Sequence, residues 1–151
     1  MERTQASRRA SWGRGKHAVA AGGVVWRRGT AEPEIVLAGR SSDATWVFPK
    51  GQPDRGESLA QTALREVREE TGLDVRIVRE LGTVEYSFAA SGERVYKTVH
   101  FFLMEPTGGD LDRHDQEYDE VRWVGASEAR RLLSFDTYRD VLDRALETIA
   151  A

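Results

Sequence analysis

Apolar residues recur along this chain in two rhythms, every second position in some segments and every third or fourth in others. The run HAVAAGGVVW, His17 to Trp26, is small and β-branched and predicts a first strand. Glu34 to Ala38 (EIVLA) predicts its hairpin partner across the turn Gly-Thr-Ala-Glu-Pro, and Trp46-Val47-Phe48 a short strand leading into a loop. Val75 to Phe88 and Val95 to Met104 are rich in strand formers and meet at the turn Ala89-Ala90-Ser91-Gly92; Tyr118 to Val124 predicts another short strand. Between these lies a helical stripe, Leu59, Ala60, Ala63, Leu64 and Val67, with Gln61 and Arg68 on the opposite, wet side. Ser58 or Glu57 stands at its N-terminus and Thr71-Gly72 supplies its stop. Ser127 to Leu133 and Asp136 to Ile149 follow, the latter with Val141, Leu142, Ala145, Leu146 and Ile149 at the spacing of a packed terminal helix. Strands on both sides of one central helix, then a closing helix, imply an α/β layered sandwich with a mixed sheet.

With 151 residues, 40% hydrophobic and 31% charged, the chain can fill one core and is too short for two ordinary domains. The expected domain is residues 17–151. Residues 1–16, MERTQASRRASWGRGK, are polar, aperiodic and locally basic at Arg8, Arg9, Arg14 and Lys16, which predicts a flexible tail. No aromatic interleaving accompanies those cations, so no specific nucleic-acid partner is expected. There is no cysteine, hence no disulfide or thiolate chemistry. No segment approaches the roughly 20 apolar residues of a membrane span, and the N-terminus lacks a signal-peptide stretch; a cytoplasmic protein without a membrane partner is expected, as monomer or homodimer. The net charge of -3 offers no overall attraction to an anionic substrate, which must be recruited by metal and local cations.

The chemistry concentrates between Gly51 and Leu73. Glu66, Glu69 and Glu70 stand at i, i+3 and i+4 and share one helical face, where like charges repel by a few tenths of a kcal/mol in an isolated helix. Oxygen-only donors of that density suit a hard divalent cation, Mg2+ with Mn2+ as substitute, over zinc. Pro49-Lys50-Gly51 and Pro53-Asp54-Arg55-Gly56 form a turn-rich approach whose backbone can come close to a ligand. A solvated helix whose glutamates pair with Arg55, Arg65 and Arg68 is the plainer alternative.

The segment resembles the signature of the Nudix hydrolases, G-x5-E-x7-R-E-U-x-E-E-x-G-U with U aliphatic, at every defined position: Gly51, Glu57, Arg65, Glu66, Glu69, Glu70 and Gly72, with Val67 and Leu73 aliphatic. The resemblance is to a MutT-like fold, an α-β-α sandwich with a mixed sheet, and to metal-dependent hydrolysis of a nucleoside diphosphate linked to another moiety. It implies Glu69 and Glu70 as principal metal ligands, Glu66 as ligand or base, Arg65 pairing with Glu57, and the carbonyl of Lys50 or Gly51 completing the coordination. A further acidic ligand is expected from the loop before the late strand, Glu117 first and Glu120 second.

Outside the box, Trp46 to Gly51 and Lys97 to Leu103 look like the diadenosine polyphosphate hydrolase branch. Lys50, Lys97 and Arg40 are then candidates for polyphosphate oxygens, Tyr86 and Phe135 for stacking on adenine, with core or rim packing as the alternative for both aromatics. Where some of that branch carry a histidine before the tryptophan, this chain has Thr45. A dinucleoside polyphosphate such as diadenosine tetraphosphate is the leading substrate, a nucleoside triphosphate, oxidised or not, in a MutT-type sanitising reaction the rival. A non-catalytic nucleotide-sensing domain is the alternative of another class.

Overall fold

The computed structural model describes residues 4–5 and 15–151, so most of the expected tail, 1–16, lies outside the described residues. The strands are β1 (Thr4–Gln5), β2 (Lys16–Arg27), β3 (Glu34–Arg40), β4 (Thr45–Val47), β5 (Lys50–Gly51), β6 (Leu73–Ala90), β7 (Glu93–Gly109) and β8 (Glu120–Gly125). The helices are α1 (Leu59–Thr71), α2 (Ala126–Leu132) and α3 (Asp136–Ala150). The strands pair in the order β1-β6-β7-β2-β3-β4, with β5 on β2 and β8 on β3. β2 runs parallel to β7 and every other pairing is antiparallel, so the sheet is mixed, as the sequence implies.

Alternation along β2 and β7 separates two cores. Ala20, Val24, Val99, Phe101 and Leu103 face one side, where Phe48, Tyr138, Val141 and Leu142 fill the space beneath α3. Ala21, Val25, Phe102 and Met104 face the other, beneath Ala63 and Val67 of α1. The helical stripe read from the sequence is thus the anchored edge of α1, and the sandwich is helix, sheet, helix.

The ends of α1 are defined locally. Ser58, not Glu57, is the N-cap: its hydroxyl accepts from the Gln61 amide while the Gln61 side chain accepts from the Ser58 amide. Gly72 closes the helix at φ 78°, its N–H donating to the Arg68 carbonyl at 2.8 Å. A Cβ there would also lie 2.1 Å from the Asp110 carbonyl. β6 and β7 extend beyond their apolar runs to Leu73 and Gly109, because one long ladder, with bulges near Asp74, Ile77 and Glu80, continues through polar residues. β8 begins at Glu120 rather than Tyr118, whose ring is instead buried in the α3-side core.

Candidate active site

α1 turns its charged edge toward the loop 51–57, and one guanidinium joins the two. Arg65 Nε donates to Glu57 Oε2 at 2.7 Å, and Nη2 to Glu57 Oε1 at 3.0 Å and to the Gln52 carbonyl at 2.9 Å. Its Nη1 reaches Glu66 Oε2 at 3.0 Å and Glu69 Oε1 at 3.1 Å. Glu57 further accepts from the Asp54 amide at 2.8 Å and the Thr62 hydroxyl at 2.9 Å. The Arg65 guanidinium first, then the Asp54 amide, hold the Glu57 carboxyl down to about 2. The same bonds raise Arg65 further above its ordinary value. This two-pronged grip fastens a loop of little regular structure to a rigid helix.

Glu70, one turn on from Glu66, is almost wholly enclosed at 2% exposure. The Lys50 amide donates to its Oε1 at 3.3 Å. Burial, then the charges of Glu117 and Glu66, push the Glu70 carboxyl well above the usual range, against the opposing pull of Lys50. Glu66 presses on the backbone of Gly51: a Cβ at that position would come within 2.1 Å of the Glu66 carboxyl carbon. A side chain where β5 passes the helix would therefore force the Glu66 carboxylate to move. Glu69 is half-exposed and engaged by Arg65.

The acidic loop after β7 is pinned to the end of α1. The Asp115 amide donates to the Glu69 carbonyl at 2.8 Å, the Asp110 amide to the Gly72 carbonyl at 3.0 Å, and a 3₁₀ turn at Leu111–Arg113 lies between them. These bonds satisfy carbonyls that a helix end leaves without partners. They bring Glu117 into the electrostatic neighbourhood of Glu70, whereas Glu120 is exposed at the start of β8, opposite Gly39. Tyr118, buried beside Glu117, feels the charges of Lys50, Glu70 and Arg40. The Arg40 guanidinium sits 4.7 Å from its ring centroid.

A buried carboxyl crowded by like charges, with only oxygen donors around it, fits a hard divalent cation in chemistry. Among the described residues, however, no group of three or more acidic or histidine side chains is gathered at metal-holding geometry. Two of the carboxylates, Glu66 and Glu69, are engaged by Arg65 Nη1.

The structure thus gathers Glu57, Arg65, Glu66, Glu69, Glu70, Gly51, Lys50, Glu117 and Arg40 around one helix edge. Lys97 lies elsewhere in the register, between Tyr86 on β6 and Ala18 on β2, on the same sheet face as Val99 and Phe101. Phe135 is half-buried and meets Tyr138 edge-on at 5.6 Å. Tyr86, at 3% exposure, belongs to the α3-side core, 6.2 Å from Phe88. The packing alternative applies to it, because alternation along β6 turns its ring inward. Ser41 and Asp119, which carry no periodic signal, and Tyr118, read only as the start of a strand, were not singled out by the sequence and are brought beside one another by the pairing of β3 with β8.

The sequence model of the family described as NUDIX domain matches residues 16–145. A candidate mutator protein MutT4 of Mycobacterium tuberculosis is 42% identical over 104 residues, covering 69% of this chain and 42% of that protein. The 8-oxo-(d)GTP phosphatase of Mycolicibacterium smegmatis is 34% identical over 139 residues, covering 85% of this chain and 42% of that protein. The asymmetrical bis(5'-nucleosyl)-tetraphosphatase of Rattus norvegicus is 38% identical over 100 residues, covering 64% of this chain and 67% of that one. The chain thus spans less than half the length of the first two relatives. Among solved structures, the C. elegans Ap4A hydrolase superposes with a TM-score of 0.67 at 23% identity, covering 89% of this chain and 98% of that chain, a likeness of fold.

Proposed function

Since the chain belongs to the NUDIX domain family, we propose that it is a divalent-metal-dependent pyrophosphohydrolase that cleaves a phosphoanhydride in a nucleoside diphosphate linked to another moiety. The observation that carries this reading is the enclosed Glu70 carboxyl, set among the charges of Glu66, Glu117 and Lys50 behind the close approach at Gly51. Such a group would be stabilised by a divalent cation held beside it. Mg2+, or Mn2+ in its place, supplies Lewis acidity and charge neutralisation when bound.

In this reading Glu70 and Glu117 would hold the cation, Glu66 and Glu69 would join them on release from Arg65 Nη1, and the Gly51 carbonyl is within the same stretch of backbone. Glu66 or Glu69 takes the proton of the attacking water. Arg65 and Glu57 hold the loop in place, a positioning role. Lys50 meets the polyphosphate as a point charge. Lys97 and Phe135, both half-buried on the other side of the sheet, are proposed contacts for the more distant part of the substrate.

We place a dinucleoside polyphosphate such as diadenosine tetraphosphate first, supported by the 38% identity to the rat tetraphosphatase. An oxidised nucleoside triphosphate is the second reading, supported by the 34% identity to the 8-oxo-(d)GTP phosphatase. Chromatography of the products decides between them. Diadenosine tetraphosphate split to ATP and AMP supports the first; a triphosphate cleaved at much higher kcat/KM supports the second. No turnover of either with Mg2+ or Mn2+ would sink both and leave a nucleotide-sensing domain.

A further inference from the structure

The loop that carries Glu117 is fastened at both ends. On one side the Asp115 amide is bound to α1, and the Glu117 amide donates to Asp115 Oδ1 at 3.0 Å. On the other, Asp119 forks onto the turn after β3: its Oδ1 accepts from the Ser41 amide at 3.0 Å and its Oδ2 from the Ser41 hydroxyl. One residue back in each segment, Arg40 covers the Tyr118 ring at 4.7 Å. Residues 115–117 are exposed.

We propose that Ser41 with Asp119, and Arg40 with Tyr118, form a latch that positions Glu117 beside Glu70 and thereby sets cation affinity at the site. These four are positioning residues; none is assigned contact with the reacting atoms. The proposal rests on the metal-site reading above. It also reassigns Arg40, whose guanidinium face is engaged by Tyr118, from phosphate contact to loop placement.

The test is Mn2+ titration of the full chain by calorimetry without nucleotide, so that turnover plays no part. Asp119→Ala should weaken Mn2+ binding about tenfold, in the range of losses at residues that orient metal ligands. Asp119→Asn, which can still accept from the Ser41 amide and donate to its hydroxyl, should stay within roughly twofold of the unaltered chain. Ser41→Ala, at an exposed position that folding tolerates, should weaken binding about threefold by removing one arm. In a Glu117→Gln background, Asp119→Ala should add less than about a twofold effect, because the latch acts through Glu117. An Asp119→Ala affinity equal to that of the unaltered chain, while Glu117→Gln alone weakens binding, overturns the latch. So does an equal effect of Asp119→Ala in both backgrounds, the mark of a merely structural role. No Mn2+ binding by the unaltered chain, or binding unmoved by Glu70→Gln, overturns the metal-site reading itself.

Discussion

Arg65 and Glu70 solve opposite electrostatic problems five residues apart on α1. Arg65 is surrounded by acceptors from Gln52, Asp54, Glu57, Glu66 and Glu69, and its planar fork serves several at once. Lysine would keep the charge and lose the fork. We expect Arg65→Lys to lower kcat/KM roughly tenfold or more and to speed amide exchange over residues 52–57, measured by steady-state kinetics and hydrogen exchange. Glu70 is enclosed with too little compensation for a charge. Glu70→Gln should therefore cost roughly a hundredfold or more in turnover, yet leave the metal-free protein as stable as before or more so. A calorimetric melt in chelator checks the second half; a lower Tm would count against the reading of Glu70 as a strained acid.

Among the elements, α1 depends on its two ends and on the glycine that lets β5 pass. Ser58→Ala removes one half of the capping box and should cost about 1 kcal/mol, read from a denaturant titration. Gly51→Ala is a different kind of change, since its methyl group would occupy the space of the Glu66 carboxylate rather than disturb a cap. It should displace Glu66 and depress turnover far more than stability, which parallel kinetics and melting curves would separate. The helix was legible in the sequence because its apolar stripe, N-cap and left-handed stop are local signals. β6 and β7 were legible in kind and short in extent, because hydrogen bonds of a long ladder carry polar residues that periodicity excludes. Both packing and stacking were open for Tyr86 in the sequence: an aromatic in a strand has two faces to choose between, and register with β7 decides.

The molecule as a whole inherits a pH response from these groups. The Glu57 carboxyl, lowered from 4.5 to about 2, contributes stability present above 4.5 and lost as the pH falls through about 2. Glu70 has the opposite sign. Its folded pKa is raised, so its contribution is full below 4.5 and is lost as the pH rises toward its folded value. In chelator, Tm should consequently decline from mildly acidic to alkaline pH, and Glu70→Gln should flatten that decline; a slope identical in both proteins would refute the assignment. Added Mg2+ should reverse the decline, because binding to the folded state stabilises it by mass action. The fold should survive chelation, with far-UV circular dichroism unchanged, since neither core contains a carboxylate of the proposed cation site. Among the described residues no helix is long and apolar enough to cross a membrane.

Sequence alone determined what is short in range: the layered class, the ends and anchored edge of α1, and the presence of an acidic row one turn long behind a glycine loop. Those depend on side-chain spacing and backbone preference within about a dozen residues. Tertiary structure decided everything that needs two distant segments to meet. It selected Glu117 over Glu120 as the neighbour of Glu70, by tying the loop to the end of α1. It turned Arg40 onto Tyr118 and Tyr86 into the core, and it joined Ser41 to Asp119, 78 positions apart. Proximity across a sheet is set by register, and register is a property of the packed chain rather than of any one stretch of it.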